Sequence, residues 1–223
     1  VSTSYTGIAS DAEKQMYYVK SGVVQKDYIG LVHNGGSDWY YIVDGKVNRN
    51  YQGFIQHTDG NYYYVQNGKI DWSVTGLIYS AGTWYYTKDG VWQPSYDGFI
   101  QHVDGQWYYV KNGRIDFSFT GLARHTDGQW YYVERGIINW EYSGVAKNAY
   151  GSWYGVSQGI YDASADGLTY YNGTWYDISH GEWKKDYPGY EQHVDGQWYY
   201  VKNGQIDFTF TGLARHVDGQ WYY

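Results

Sequence analysis

The stretch Gly98–Thr120, GFIQHVDGQWYYVKNGRIDFSFT, is followed at once by Gly121–Ser143, GLARHTDGQWYYVERGIINWEYS. The second copies the plan of the first. Aligning the rest of the chain on the W-Y-Y core gives ten repeats, opening at Gly7, Gly30, Gly53, Gly76, Gly98, Gly121, Gly144, Gly167, Gly189 and Gly212. The period is 23 residues, shortened to 22 in the repeats that open at Gly76 and Gly167. A fixed period of this size is the mark of a repeat architecture. A longer period lies above it: residues 101–132 and 192–223 differ only at Arg114/Gln205, Ser118/Thr209 and Thr126/Val217. That 91-residue offset spans four repeats, so the array grew by block copying. The last repeat stops at Tyr223 and reads as truncated.

Within Gly98–Thr120, Phe99 to His102 is a short extended run and Gln106 to Val110 a second, rich in β-forming residues. Asp104-Gly105 and Asn112-Gly113 are tight-turn dipeptides, both expected as type I′ turns. No helical periodicity intervenes. One such hairpin cannot bury enough surface to stand alone, but ten stacked ones can. The expected fold is all-β: one elongated β-solenoid over residues 1–223, not two compact domains. Alternation along a strand puts Trp107 and Tyr109 on one face and Tyr108 and Val110 on the other. An aliphatic column of Leu122-type and Ile115-type residues would join one of them.

Composition agrees. The 223 residues include 31 Tyr, 12 Trp and 6 Phe but only five leucines, all at the second position of a repeat: Leu31, Leu77, Leu122, Leu168 and Leu213. With no cysteine, disulfide frameworks and thiolate metal sites are excluded. A net charge of −7 without a basic tract argues against nucleic acid. No apolar run is long enough to span a membrane, and no signal-like segment follows Val1.

The pattern T-G-x-x-x-x-x-D-G-x-W-Y-Y-V-x-N-G, as in Thr120-Gly121 through Tyr132, resembles the cell-wall/choline-binding repeat superfamily. Related repeats are the glucan-binding repeats of streptococcal glucosyltransferases and the repetitive oligopeptides of clostridial toxins. The wording is similar to arrays on secreted proteins of gut Firmicutes. The resemblance implies stacked hairpins with non-catalytic binding of cell-wall or carbohydrate ligands in the grooves between them. It also implies an extracellular setting, secreted or cell-wall associated, beside a separate functional domain such as an adhesin. Choline-binding members carry tryptophan after the repeat's glycine. Here that place holds Leu31, Phe54, Leu77, Phe99, Leu122, Val145, Leu168, Tyr190 or Leu213. A cation–π cage needs several electron-rich faces, so glycans of the cell envelope or host surface are expected ahead of choline.

The in-register tryptophans, including Trp107, Trp130 and Trp198, are read first as packing between repeats and second as sugar subsites. The aromatics that vary between repeats are the stronger ligand candidates: Trp72, Phe117, Trp140 and Phe208 late in the 23-residue repeats, and Trp92 and Trp183 in the short ones. His57, His102, His125, His193 and His216 read as hairpin-end residues packed on a neighbouring ring. Asp59, Asp104, Asp127, Asp195 and Asp218 read as turn formers, and Asp71, Asp116 and Asp207 as loop partners before sugar ligands. No metal or cofactor is expected. Nucleophile, zinc and phosphate-loop motifs are absent, and acids that recur in nearly every copy do not make one asymmetric active site. The chain is therefore read as non-catalytic. The alternative is a structural stalk or self-associating fibre whose aromatics only pack.

Overall fold

A computed structural model describes residues 3–223, so Val1 and Ser2 of the expected array lie outside the described residues. Among the described residues there are strands and turns but no helix. Contacts divide the chain into two compact units. One is Val1–Asp104 with Val110–Ile115; the other is Gly105–Tyr109 with Asp116–Tyr223.

Each repeat but the last contributes three strands, and the last contributes two. In the first compact unit, Gly53–Gln56 pairs with Tyr62–Gln66 in the register Gly53↔Val65 to Gln56↔Tyr62. Lys69–Ile70 then folds back on the end of the second strand, Val65↔Ile70. Up to the repeat that opens at Gly167, the free stretch of each central strand is filled by the short strand of the following repeat. Tyr40 pairs with Lys69, and the Tyr41 N–H donates to the Gly68 carbonyl at 2.9 Å. The second compact unit repeats this, with Tyr131 paired to Ile160 and Tyr132 N–H donating to Gly159 O at 2.8 Å. Consecutive hairpins are thus sewn together by backbone.

The two turns of a repeat differ. Asn112-Gly113 has positive φ at both residues, 51° and 69°, which is the expected type I′. The Asp-Gly turn is not. In Thr126-Asp127-Gly128 only Gly128 has positive φ, at 89°, and its N–H donates to His125 O at 3.0 Å. This is a three-residue loop that closes with a left-handed glycine, and it corrects the type I′ expectation there. The 22-residue repeats show why. Their first hairpins, Gly76–Ser80 with Thr83–Lys88 and Gly167–Tyr171 with Thr174–Ser179, do have two-residue loops. Ala81-Gly82 and Asn172-Gly173 are positive at both residues. Losing one residue converts one turn type into the other.

The core forms where hairpins stack. Leu31, Trp39 and Tyr41 of one repeat meet Ile55, Tyr63 and Val65 of the next. Leu122, Trp130 and Tyr132 meet Ala146, Tyr154 and Val156 in the same way. The leucine column therefore belongs to the Trp-x-Tyr face, which packs on the Tyr-x-Val face of its neighbour. Val65, Val110, Val133, Val156 and Val201 are fully buried. Leu213, in the final hairpin, is exposed, unlike the other four leucines.

Candidate functional site

Because the Trp-x-Tyr face ends in a tryptophan at the hairpin mouth, a stacking that sets a histidine against that ring forms a cleft whose parts come from fixed places in two repeats. In the first compact unit Trp39 supplies one wall. His57 of the next repeat meets it edge-on, with centroids 5.0 Å apart. Tyr63 stands 6.2 Å beyond His57, and Trp72 lies 5.6 Å from Tyr63. These rings enclose about 120 Å³ together with Leu31, Asp59 and Ile70. The Tyr63 hydroxyl donates to Asp59 Oδ2 at 2.6 Å.

The second compact unit holds three more copies. Trp107 meets His125 at 5.4 Å, and Tyr131 meets Trp140 at 5.6 Å while its hydroxyl donates to Asp127 at 2.7 Å. Trp175 meets His193 at 4.7 Å, and Tyr199 bonds Asp195 at 2.9 Å and lies 6.3 Å from Phe208. Trp198 meets His216 at 5.2 Å, and Tyr222 bonds Asp218 at 2.7 Å. There, with Tyr190 and Tyr223, the space grows to about 450 Å³. The tyrosine hydroxyl holds Asp59, Asp127 and Asp218 below the usual carboxylate range, and the same bond raises Tyr63, Tyr131 and Tyr222. Each acid is a fixed anionic acceptor, suited to orient a tyrosine or accept from a hydroxyl, not to shuttle protons at neutral pH.

The ligand candidates separate into groups. Trp72 and Trp140 are 40% and 44% exposed at the cleft rim, and Phe117 and Phe208 occupy the same place in their repeats, also exposed. Trp92 and Trp183 take the place of the short-strand isoleucine. Their indole N–H groups donate to Gly113 O at 3.0 Å and Gly204 O at 2.8 Å, a bond that joins repeats. Trp107 is half-buried beside His125 and Trp198 is exposed. Trp130 is half-buried on the Leu122 cluster and faces a repeat with Asn148 in the histidine's place. The histidine rings pack on the preceding tryptophan, and Trp84 with His102 at 5.0 Å repeats this in the first compact unit. Asp71 and Asp207 accept from the backbone N–H and hydroxyl of Ser73 and Thr209 in their own loops.

The Asp–Tyr pair was not anticipated from sequence, where the aspartate was explained by its turn alone. The signal was present as D-G-x-x-Y, which sets the two residues four apart across a hairpin mouth.

The sequence profile of the choline-binding repeat matches residues 4–25, 27–48, 50–71, 73–91, 95–116, 118–139, 164–181, 186–207 and 209–223. No curated protein matches the chain. Among solved structures it is similar to alternansucrase in complex with isomaltononaose, at 17% identity and a TM-score of 0.39, covering 94% of this chain and 16% of that one. It is also similar to CbpF in complex with ipratropium, at 21% identity and a TM-score of 0.40, covering 94% and 77%. A further crystal form of choline binding protein F, from Streptococcus pneumoniae, matches at 18% identity and a TM-score of 0.29, covering 98% and 99%. With its profile matched along most of its length, the chain belongs to the choline-binding repeat family.

Proposed function

We propose that this chain is a non-catalytic module, working as one array, that binds carbohydrate or cell-wall glycans on a secreted or surface-attached bacterial protein. The observation that carries the reading is the recurrent cleft with an exposed indole or phenyl ring on its rim, as at Trp72, Phe117, Trp140 and Phe208. A sugar presents C–H faces to such a ring and hydroxyls to the Asp–Tyr pair beside it. Weak sites repeated along one chain add by effective concentration.

A glycan array that includes teichoic-acid, mucin and isomaltooligosaccharide probes tests this. Binding by the intact chain, clearly weakened by the pair Trp72→Ala and Trp140→Ala, supports the reading; no binding to any probe sinks it. The structural-stalk reading draws on Trp92 and Trp183, which are committed to bonds between repeats. Filament formation without glycan binding would select it.

A further inference from the structure

We infer that the recess beside Arg114 is a second ligand site, which takes a sugar ring bearing a carboxylate. It lies wholly in the first compact unit and has a volume of about 540 Å³, walled by Phe54, Tyr62, Tyr85 and Trp92, with Gln52 and Ser80 also lining it. Arg114 supplies its one charged side chain.

The guanidinium carbon lies 5.2 Å from the Tyr85 ring centre and 5.1 Å from that of Trp92. The rings are braced: Tyr62 meets Trp92 at 5.3 Å, Phe54 meets Tyr85 at 5.0 Å and Tyr85 meets Trp92 at 5.5 Å. Arg114 is exposed, and among the described residues it forms no ion pair. No carboxylate lines the recess to neutralise it. An unpaired guanidinium over two rings offers its N–H edge to a planar bidentate acceptor. The rings stack a sugar face. Ser80 and the side-chain oxygen of Gln52, whose amide N–H is spent on the Tyr64 hydroxyl at 2.7 Å, remain for sugar hydroxyls.

The fold does not require the arginine. Ninety-one residues on, the same strand pairing forms as Tyr176↔Gln205, where the first copy has Tyr85↔Arg114. Trp183 keeps its bond to Gly204 as Trp92 keeps its bond to Gly113. The second copy is packed differently: Gly155 stands in place of Tyr64 and Tyr171 in place of Ser80. Tyr171 is 5% exposed, its hydroxyl lies 2.6 Å from where a Cβ on Gly155 would sit, and its ring centre is 6.2 Å from that of Tyr176, the counterpart of Tyr85. Arg114/Gln205 is one of only three differences in a copied stretch of 32 residues, and the arginine accompanies the small Ser80 while the glutamine accompanies the buried Tyr171. This site shares no residue with the neutral-ring clefts, so either can fail without the other.

The test is calorimetric titration of the intact chain with a glucuronic-acid oligosaccharide, its carboxyl-reduced counterpart and a glycerol-phosphate oligomer. The acid should bind at least tenfold more tightly than the reduced sugar. Arg114→Gln should remove that preference without moving the thermal midpoint, because Gln205 already serves the fold. Ser80→Tyr should weaken acid binding with Arg114 intact. Unchanged acid binding in either variant would overturn the site. Equal binding of the reduced sugar, or Arg114-dependent binding of glycerol phosphate as tight as that of the acid, would overturn the carboxylate assignment.

Discussion

Single residues fix how closely repeats approach. The tyrosine two places before a repeat's glycine closes the corner with its hydroxyl: Tyr28 to Leu31 O at 3.1 Å, Tyr51 to Phe54 O at 3.0 Å and Tyr142 to Val145 O at 2.8 Å. Tyr142 also stacks on Tyr132 at 3.7 Å, and burial pushes its hydroxyl up to about 12. Tyr51→Phe is expected to cost about 1 kcal/mol in urea unfolding, the net worth of one such bond. The glycine of the turn that leads into the short strand is under a harder constraint. A Cβ on Gly136 would lie 2.7 Å from Asp116 O, whereas one on Gly60 meets nothing within 4 Å. Both have positive φ, 79° and 87°. Gly60→Ala should therefore cost about 1–2 kcal/mol for the left-handed backbone alone. Gly136→Ala should cost clearly more, roughly 3 kcal/mol or above, because the backbone of the preceding repeat must move. Similar midpoints for the two variants would contradict this.

At the scale of the hairpin, the two short repeats are where local chemistry departs from the rest. Ala81 occupies the first place of a type I′ turn at φ 48°, where the sister repeat has Asn172 at φ 45°. Ala81→Asn is expected to raise stability by roughly 0.5–1 kcal/mol, read as a higher melting midpoint, since asparagine tolerates this conformation better. In the sister repeat Asp177 and Lys184, and in the repeat after it Glu191, stand where the first block has Tyr86, Gln93 and Ile100. Asp177 is fully buried, with Lys184 Nζ 3.1 Å away and Glu191 3.4 Å from the same amine. Burial pushes the Asp177 carboxyl up to about 6, against the opposing pull of Lys184. Since this lies above its value in the unfolded chain, the group's contribution is fully present below about pH 4 and is lost as pH rises through 6. Wild type should thus lose on the order of 2 kcal/mol between pH 4 and 7 relative to Asp177→Asn. Parallel pH profiles of the two proteins would refute it.

For the molecule as a whole, the position after each repeat's glycine carries aliphatic or aromatic residues other than tryptophan, and Leu31, Leu122 and Phe99 there are buried in the core. Choline should accordingly leave the melting midpoint unchanged at concentrations where a glycan ligand raises it; a choline-dependent rise would overturn that order of preference. The repeat period, the all-β character and the Asn112-Gly113 turn were legible in the sequence because they follow from local spacing and from backbone conformations that few residues adopt. The division of the aromatics was not. Trp72 and Trp92 are both departures from a common pattern, yet one sits on an open rim and the other donates across to Gly113. Sequence alone determined where each hairpin begins, turns and ends. Only the tertiary structure decided which ring is covered, which recess is open and which acid is buried, because these depend on the size and charge of what the neighbouring hairpin places opposite, which no local pattern within one repeat specifies.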